Sequence, residues 1–121
     1  MRLRCEELVE HDTIAYLAYV DAIRSGLGLE AAKARTVEVP LEIARSAEQV
    51  VELAKQLAGH GNHNLHADAV IAAILASAAA ESAAHLVAVN VEEADDPRLD
   101  EAGELAERSA AGARSLSPRD T

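Results

Sequence analysis

His60, His63 and His66 recur three positions apart, with Asn62 and Asn64 interleaved and Asp68 just beyond. Imidazole titrates near neutral pH and moves protons, a carboxylate accepts a proton or balances a cation, and carboxamides orient water or a polar ligand. Together they offer acid–base chemistry on a polar substrate, with Asp68 and His63 as the proton-handling pair and Asn62 and Asn64 as orienting groups. The same donors suit zinc or nickel. No cysteine lies near them, however, and the Gly59 to His66 stretch reads as a loop rather than a preset helical face, so no metal site is expected. Simpler readings stand beside these. Asp68 falls in the first turn of a helix, where a negative charge is stabilised whatever its use, either Asn serves as a cap, and His63 is a solvated loop residue.

A second constellation lies earlier. Asp12, Tyr16 and Tyr19 fall on one helical stripe, four and then three residues apart. A Tyr ring stacks on a flat ligand or packs at the core edge with its hydroxyl wet. Asn90 lies about 33 Å beyond Asp68 along a straight helix rising about 1.5 Å per residue, so the two cannot hold one small ligand within a single chain. Asn90 reads either as a buried amide paired with backbone or as part of a site that another chain completes. Arg35, Arg45 and Lys55 could meet the anionic tail of a ligand, and helix-surface ion pairs with Glu38, Glu42, Glu48 and Glu52 explain them equally well.

The elements that must carry these residues are all helical, since every long stretch repeats at helical period and none alternates as a strand does. A first helix is predicted over Glu6 to Ser25, with Leu8, Ala15, Ala18, Ala22 and Ile23 near one stripe and Gly26 and Gly28 ending it. Leu29 to Ala58 follows, amphipathic after Pro40. The proline has no N–H for the Thr36 carbonyl, so the segment kinks there or splits in two, and a kink is the favoured expectation. Ala67 to about Glu92 forms the most apolar helix, expected at the centre of the fold or in a subunit interface. Asp96 caps a last helix from Pro97 or Arg98 to about Ala113. The fold class is an all-α antiparallel bundle with a Pro-kinked helix, expected to dimerise. Residues 1–114 form its one domain, and 115–121 are expected to be a disordered tail.

The 121 residues are half hydrophobic yet hold no Trp, no Phe and two Tyr, so the core is built of Ala, Leu, Val and Ile. With 11 Lys and Arg against 21 Asp and Glu, the net charge of −10 disfavours nucleic acid and anionic membranes as partners. Cys5 has no partner for a disulfide, and the start lacks the apolar core of a signal peptide, which points to the cytoplasm. The charge-free run Ala69 to Ala80 is shorter than the roughly 20 apolar residues a bilayer span needs.

Three stretches together resemble the cyclodeaminase/cyclohydrolase family, which includes bacterial methenyltetrahydrofolate cyclohydrolases and the cyclodeaminase half of formiminotransferase-cyclodeaminase. They are Asp12-x3-Tyr16-x2-Tyr19; Val39-Pro40-Leu41-Glu42-Ile43-Ala44; and Gly61-Asn62-His63-Asn64-Leu65-His66-Ala67-Asp68 running into an Ala-rich helix that ends Leu86-Val87-Ala88-Val89-Asn90-Val91. Family members carry an earlier helical part with a Pro-Gly-Gly-Gly-Ser type loop, and no Gly-Gly pair occurs here, so the resemblance implies the later helices of that fold. Many members also have a second Asn where this chain has Leu86.

The resemblance implies a dimeric helical enzyme handling tetrahydrofolate that carries a one-carbon unit. Such an enzyme hydrolyses 5,10-methenyltetrahydrofolate or closes 5-formiminotetrahydrofolate with loss of ammonia. It needs no metal or redox cofactor, because folate itself carries the carbon. On that reading Asp68 and His63 are catalytic, and Asn62, Asn64, Asp12 and Tyr16 bind substrate. The alternative is a catalytically silent helical assembly module derived from the family.

Overall fold

The computed structural model describes residues 2–26, 28–60 and 62–116, and these hold four helices and no strand. They are α1 (Arg2–Ser25), α2 (Leu29–Ala58), α3 (His63–Asn90) and α4 (Pro97–Leu116). The all-α expectation holds, and several boundaries move outward. α1 begins at Arg2 rather than Glu6. α3 begins at His63 rather than Ala67, because the Asn62 carboxamide accepts from the backbone N–H of Asn64 at 2.9 Å and of Leu65 at 3.5 Å. Two of the N–H groups that a helix start leaves unpaired are thereby satisfied, and His63, Asn64 and His66 become helical rather than loop residues. α4 runs past Ala113, so Ser115 and Leu116, expected in the tail, are helical; residues 117–121 lie outside the described residues.

Pro97 is the first residue of α4, and Asp96 precedes it as cap, accepting from the Arg98 backbone N–H at 2.9 Å and from its guanidinium at 2.6 Å. The guanidinium bond, reinforced by the backbone N–H, pushes the Asp96 carboxyl down to about 2. Between α1 and α2 the chain turns through Gly26 (φ 72°) and Gly28 (φ 67°), a left-handed backbone that side chains disfavour.

α2 packs on all three other helices, whereas α3 packs on α2 and α4, and α1 on α2 alone. The central place, one of the two expected for α3, therefore belongs to α2, which leaves the subunit interface as the other. The core forms three layers along α2: Val37, Leu41 and Ala44 meet Ala83, Val87, Ala102 and Leu105; Ala47 and Val51 meet Ala76 and Ala80; Ala54 meets Ala69, Ala73 and Ala113. α3 buries only one face, Ala69, Ala73, Ala76, Ala80, Ala83 and Val87, and leaves Ile71, Ile74, Leu75, Leu86 and Val89 exposed. By length and composition this helix could cross a membrane, which the shorter charge-free run within it did not indicate. On α1, Leu8, Ala15 and Ala22 are buried as their stripe predicts, while Ala18 and Ile23 are exposed.

Ion pairs tie the surfaces together: Arg4 to Glu42 at 2.8 Å joins α1 to α2, and Arg45 to Glu101 at 2.6 Å joins α2 to α4. Lys55 pairs with Glu52 on its own helix, as expected, while Arg45 reaches across to another. Each exposed pair contributes little. α4 approaches α2 closely because position 112 has no side chain: a Cβ there would lie 2.5 Å from the Cγ1 of Val51, which is fully buried.

Gly112→Ala is therefore expected to lower stability by about 1–3 kcal/mol through overpacking, despite the better helix propensity of Ala. Val51→Ala should recover part of that loss when combined with it. Denaturant unfolding of the two single variants and the double variant measures both effects; an unchanged midpoint for Gly112→Ala would show that the helices separate freely.

Candidate functional site

α1 and α3 stand on either side of α2 without packing on each other, which leaves a trough floored by α2. At one end the trough is a polar cleft of about 470 Å³. Asp12, Ala15, Tyr16 and Tyr19 line it from α1, Lys33, Thr36 and Pro40 from α2, and Leu86, Val89 and Asn90 from α3, with Val91 and Glu92 following. Toward the other end lies an apolar groove of about 430 Å³, lined by Cys5, Leu8 and Val9 of α1, Ile43, Ala47 and Val50 of α2, and Ala72, Leu75 and Ala76 of α3.

The floor of the cleft contains the helix-interior proline. α2 is one continuous helix across Pro40, which excludes two separate helices. The Thr36 carbonyl, which would accept from the N–H that Pro40 lacks, instead accepts from the Asn90 side-chain amide at 3.0 Å. Asn90 thus pairs with backbone, as one of its two sequence readings holds, although the residue itself is exposed. A flipped amide would set its oxygen against the Thr36 carbonyl, so this contact fixes which atom is Nδ2 and which is Oδ1.

The cleft is rich in acceptors. Asp12 and Glu92 bring carboxylates and Asn90 brings Oδ1, against one cation, Lys33. Lys33 donates to Glu92 at 2.8 Å, and that hydrogen bond is the main cause of its raised pKa. Tyr16, 64% exposed, and Tyr19, half-buried, both line the cleft. A flat ring carrying N–H groups or positive charge fits such a lining better than an anion does.

The other candidates sit elsewhere. Asn62, His63 and His66 line a shallow depression with Ala58 at the start of α3, and Asn64 and Asp68 are exposed beside it. Asn62 is occupied as the helix cap. Asp68 makes no hydrogen bond or ion pair among the described residues that would commit it to a structural role. Among those residues no three His, Cys, Asp or Glu side chains converge as a metal ion would need.

Asp12 and Tyr16 thus lie at the C-terminal end of α3, and Asn62, His63, Asn64 and Asp68 at its N-terminal end, so one chain does not bring the six candidates together. Sequence reasoning left Lys33 and Glu92 out of the site and put Asn90 there only as one of two readings. The proline at 40 was the available signal for Asn90, because the carbonyl it orphans requires a donor from another element.

If the Asn90 amide substitutes for the missing N–H, Asn90→Ala should cost about 1 kcal/mol beside Pro40 and much less in a Pro40→Ala background, where residue 40 supplies its own N–H. A double-mutant cycle by denaturant unfolding reads this coupling. Equal losses in both backgrounds would mean the bond contributes nothing to stability.

Among known proteins, the family model described as formiminotransferase-cyclodeaminase matches residues 1–108, covering α1, α2, α3 and more than half of α4. No curated protein and no solved structure matches the chain. With the matched region taking in the cleft and both groups of candidate residues, the chain belongs to the formiminotransferase-cyclodeaminase family.

Proposed function

We propose that this chain is a folate-dependent one-carbon enzyme, a methenyltetrahydrofolate cyclohydrolase or formiminotetrahydrofolate cyclodeaminase, that works as a homodimer without metal or redox cofactor. The observation carrying the reading is the acceptor-rich cleft of Asp12, Tyr16 and Asn90 in a chain of this family. A methenyl bridge is a cationic amidinium. A carboxylate beside it stabilises the charge and takes a proton from the attacking water. Water adds to the bridge carbon, and the bond from that carbon to one ring nitrogen then breaks to leave the formyl product. His63 is suited to returning the proton to the departing nitrogen.

The separation of the candidates along α3 supports a site shared between two chains. In a two-fold dimer formed through the exposed face of α3 with its axis perpendicular to that helix, the two copies of α3 run antiparallel, and the Asp68 end of one approaches the Asn90 end of the other. The exposed apolar residues Ile71, Leu75, Leu86 and Val89 supply the face. Within one subunit, the Pro40 ring bends α2 at the floor of the cleft. The second reading, a helical assembly module without activity, is favoured by the same separation if no partner closes the gap.

Self-association is expected to be lost in Leu75→Glu, because Leu75 is 66% exposed and the charge leaves the subunit core untouched. Light scattering on a sizing column should give a dimer for the wild type and a monomer for the variant; a monomeric wild type overturns the dimer.

Asp12→Asn and Asp68→Asn should each lower turnover of methenyltetrahydrofolate at least about 100-fold and leave the helical circular dichroism intact. Mixing the two inactive variants should restore up to about a quarter of wild-type turnover, since half of randomly exchanged dimers then carry one intact site of two. Full activity in Asp68→Asn removes that residue from the site. Absence of turnover in the wild type favours the module.

A further inference from the structure

The Asn90 side chain donates to the Thr36 carbonyl at 3.0 Å. That bond holds more than the backbone group. Nδ2 and Oδ1 belong to one planar amide, so an anchored Nδ2 leaves Oδ1 fixed rather than free to exchange places with it. Asn90 is exposed and lines the polar cleft, with Asp12, Tyr16 and Tyr19 across from it on α1. Among the described residues no donor is assigned to Oδ1. An anchored acceptor without a protein donor, in a cleft that two tyrosines and a carboxylate also line, is what an N–H edge of a flat ring requires.

We propose that Asn90 is a ligand-binding residue of the cleft, its Oδ1 accepting from the N–H edge of an aminopyrimidine-type ring stacked at Tyr16 and Tyr19, and that Pro40 is the positioning residue that fixes it. Pro40 acts through an absence. By withholding its N–H it leaves the Thr36 carbonyl to Asn90, so the amide is aligned before any ligand arrives. Preorganisation of this kind improves affinity because the side chain gives up no rotational freedom on binding. The cleft's acceptor excess sets the ligand class, a ring bearing amino and N–H groups rather than an anion. This inference rests on the folate reading only in its choice of probe.

The test uses the full chain and two ring probes. Pterin presents an amino group and a ring N–H; lumazine replaces the amino group by oxygen. The protein has no Trp, so pterin fluorescence reports binding without tryptophan background. Wild type should bind pterin more tightly than lumazine. Pro40→Ala gives the Thr36 carbonyl a backbone donor and releases the amide. It should raise the pterin Kd about fivefold, the worth of one net hydrogen bond, and shrink the preference over lumazine, while melting no earlier than Asn90→Ala. Asn90→Ala should weaken pterin binding at least as much and also lower the melting temperature. A merely structural bond would move stability and leave the pterin preference alone. Wild-type pterin affinity and preference in Pro40→Ala and Asn90→Ala would therefore overturn the proposal while leaving the folate reading intact. A wild-type protein that binds neither ring would overturn both.

Discussion

The packing of α2 against α3 is the contact on which the rest of the molecule depends. With no Trp or Phe to fill space, the core closes only if helix backbones approach closely. Alanines 44, 47 and 54 of α2 and 69, 73, 76, 80 and 83 of α3 permit this over their whole shared length. Buried Val51 and Val87 add bulk between them. Small side chains bury little area each, so stability depends on many contacts of good fit rather than on a few large ones. Gly112 shows how tight the fit becomes where α4 joins, since even a methyl group meets Val51.

Much of this was legible in the sequence. Four helices, their order, the cap at Asp96 and the proline at the start of α4 follow from periodicity and end signals that act locally. The start of α3 was misplaced because Gly59 to His66 has loop composition, and the side chain of Asn62 decides how much of it becomes helix. Of the two places expected for α3, the central one fails for a physical reason. Hydropathy reports how apolar a helix is, not how many neighbours it has, and α3 is apolar on faces that no other helix of the chain covers.

The candidate site was legible in pieces. Asp12, Tyr16 and Tyr19 share a stripe, and that stripe does face a cleft. What no local pattern could reveal is that α1 and α3 lie alongside each other across α2, which sets that stripe opposite Asn90 and far from Asp68. Helical periodicity gives the face a residue occupies. Register between helices distant in sequence is set by packing, here by the alanine seam and by a hydrogen bond joining positions as far apart as Thr36 and Asn90.

α1 has a consequence for how the protein responds to a ligand. It packs on α2 alone, and it is joined to α2 through two glycines in left-handed conformation. Amide hydrogens in a helix held on one side exchange through local opening at lower free energy than those of the helices it leaves behind. The wall carrying Asp12, Tyr16 and Tyr19 is therefore expected to open before the other, which α2 and α4 hold from two sides. A molecule bridging them would slow exchange in α1 far more than in α3, so that occupancy is registered as the ordering of a single helix.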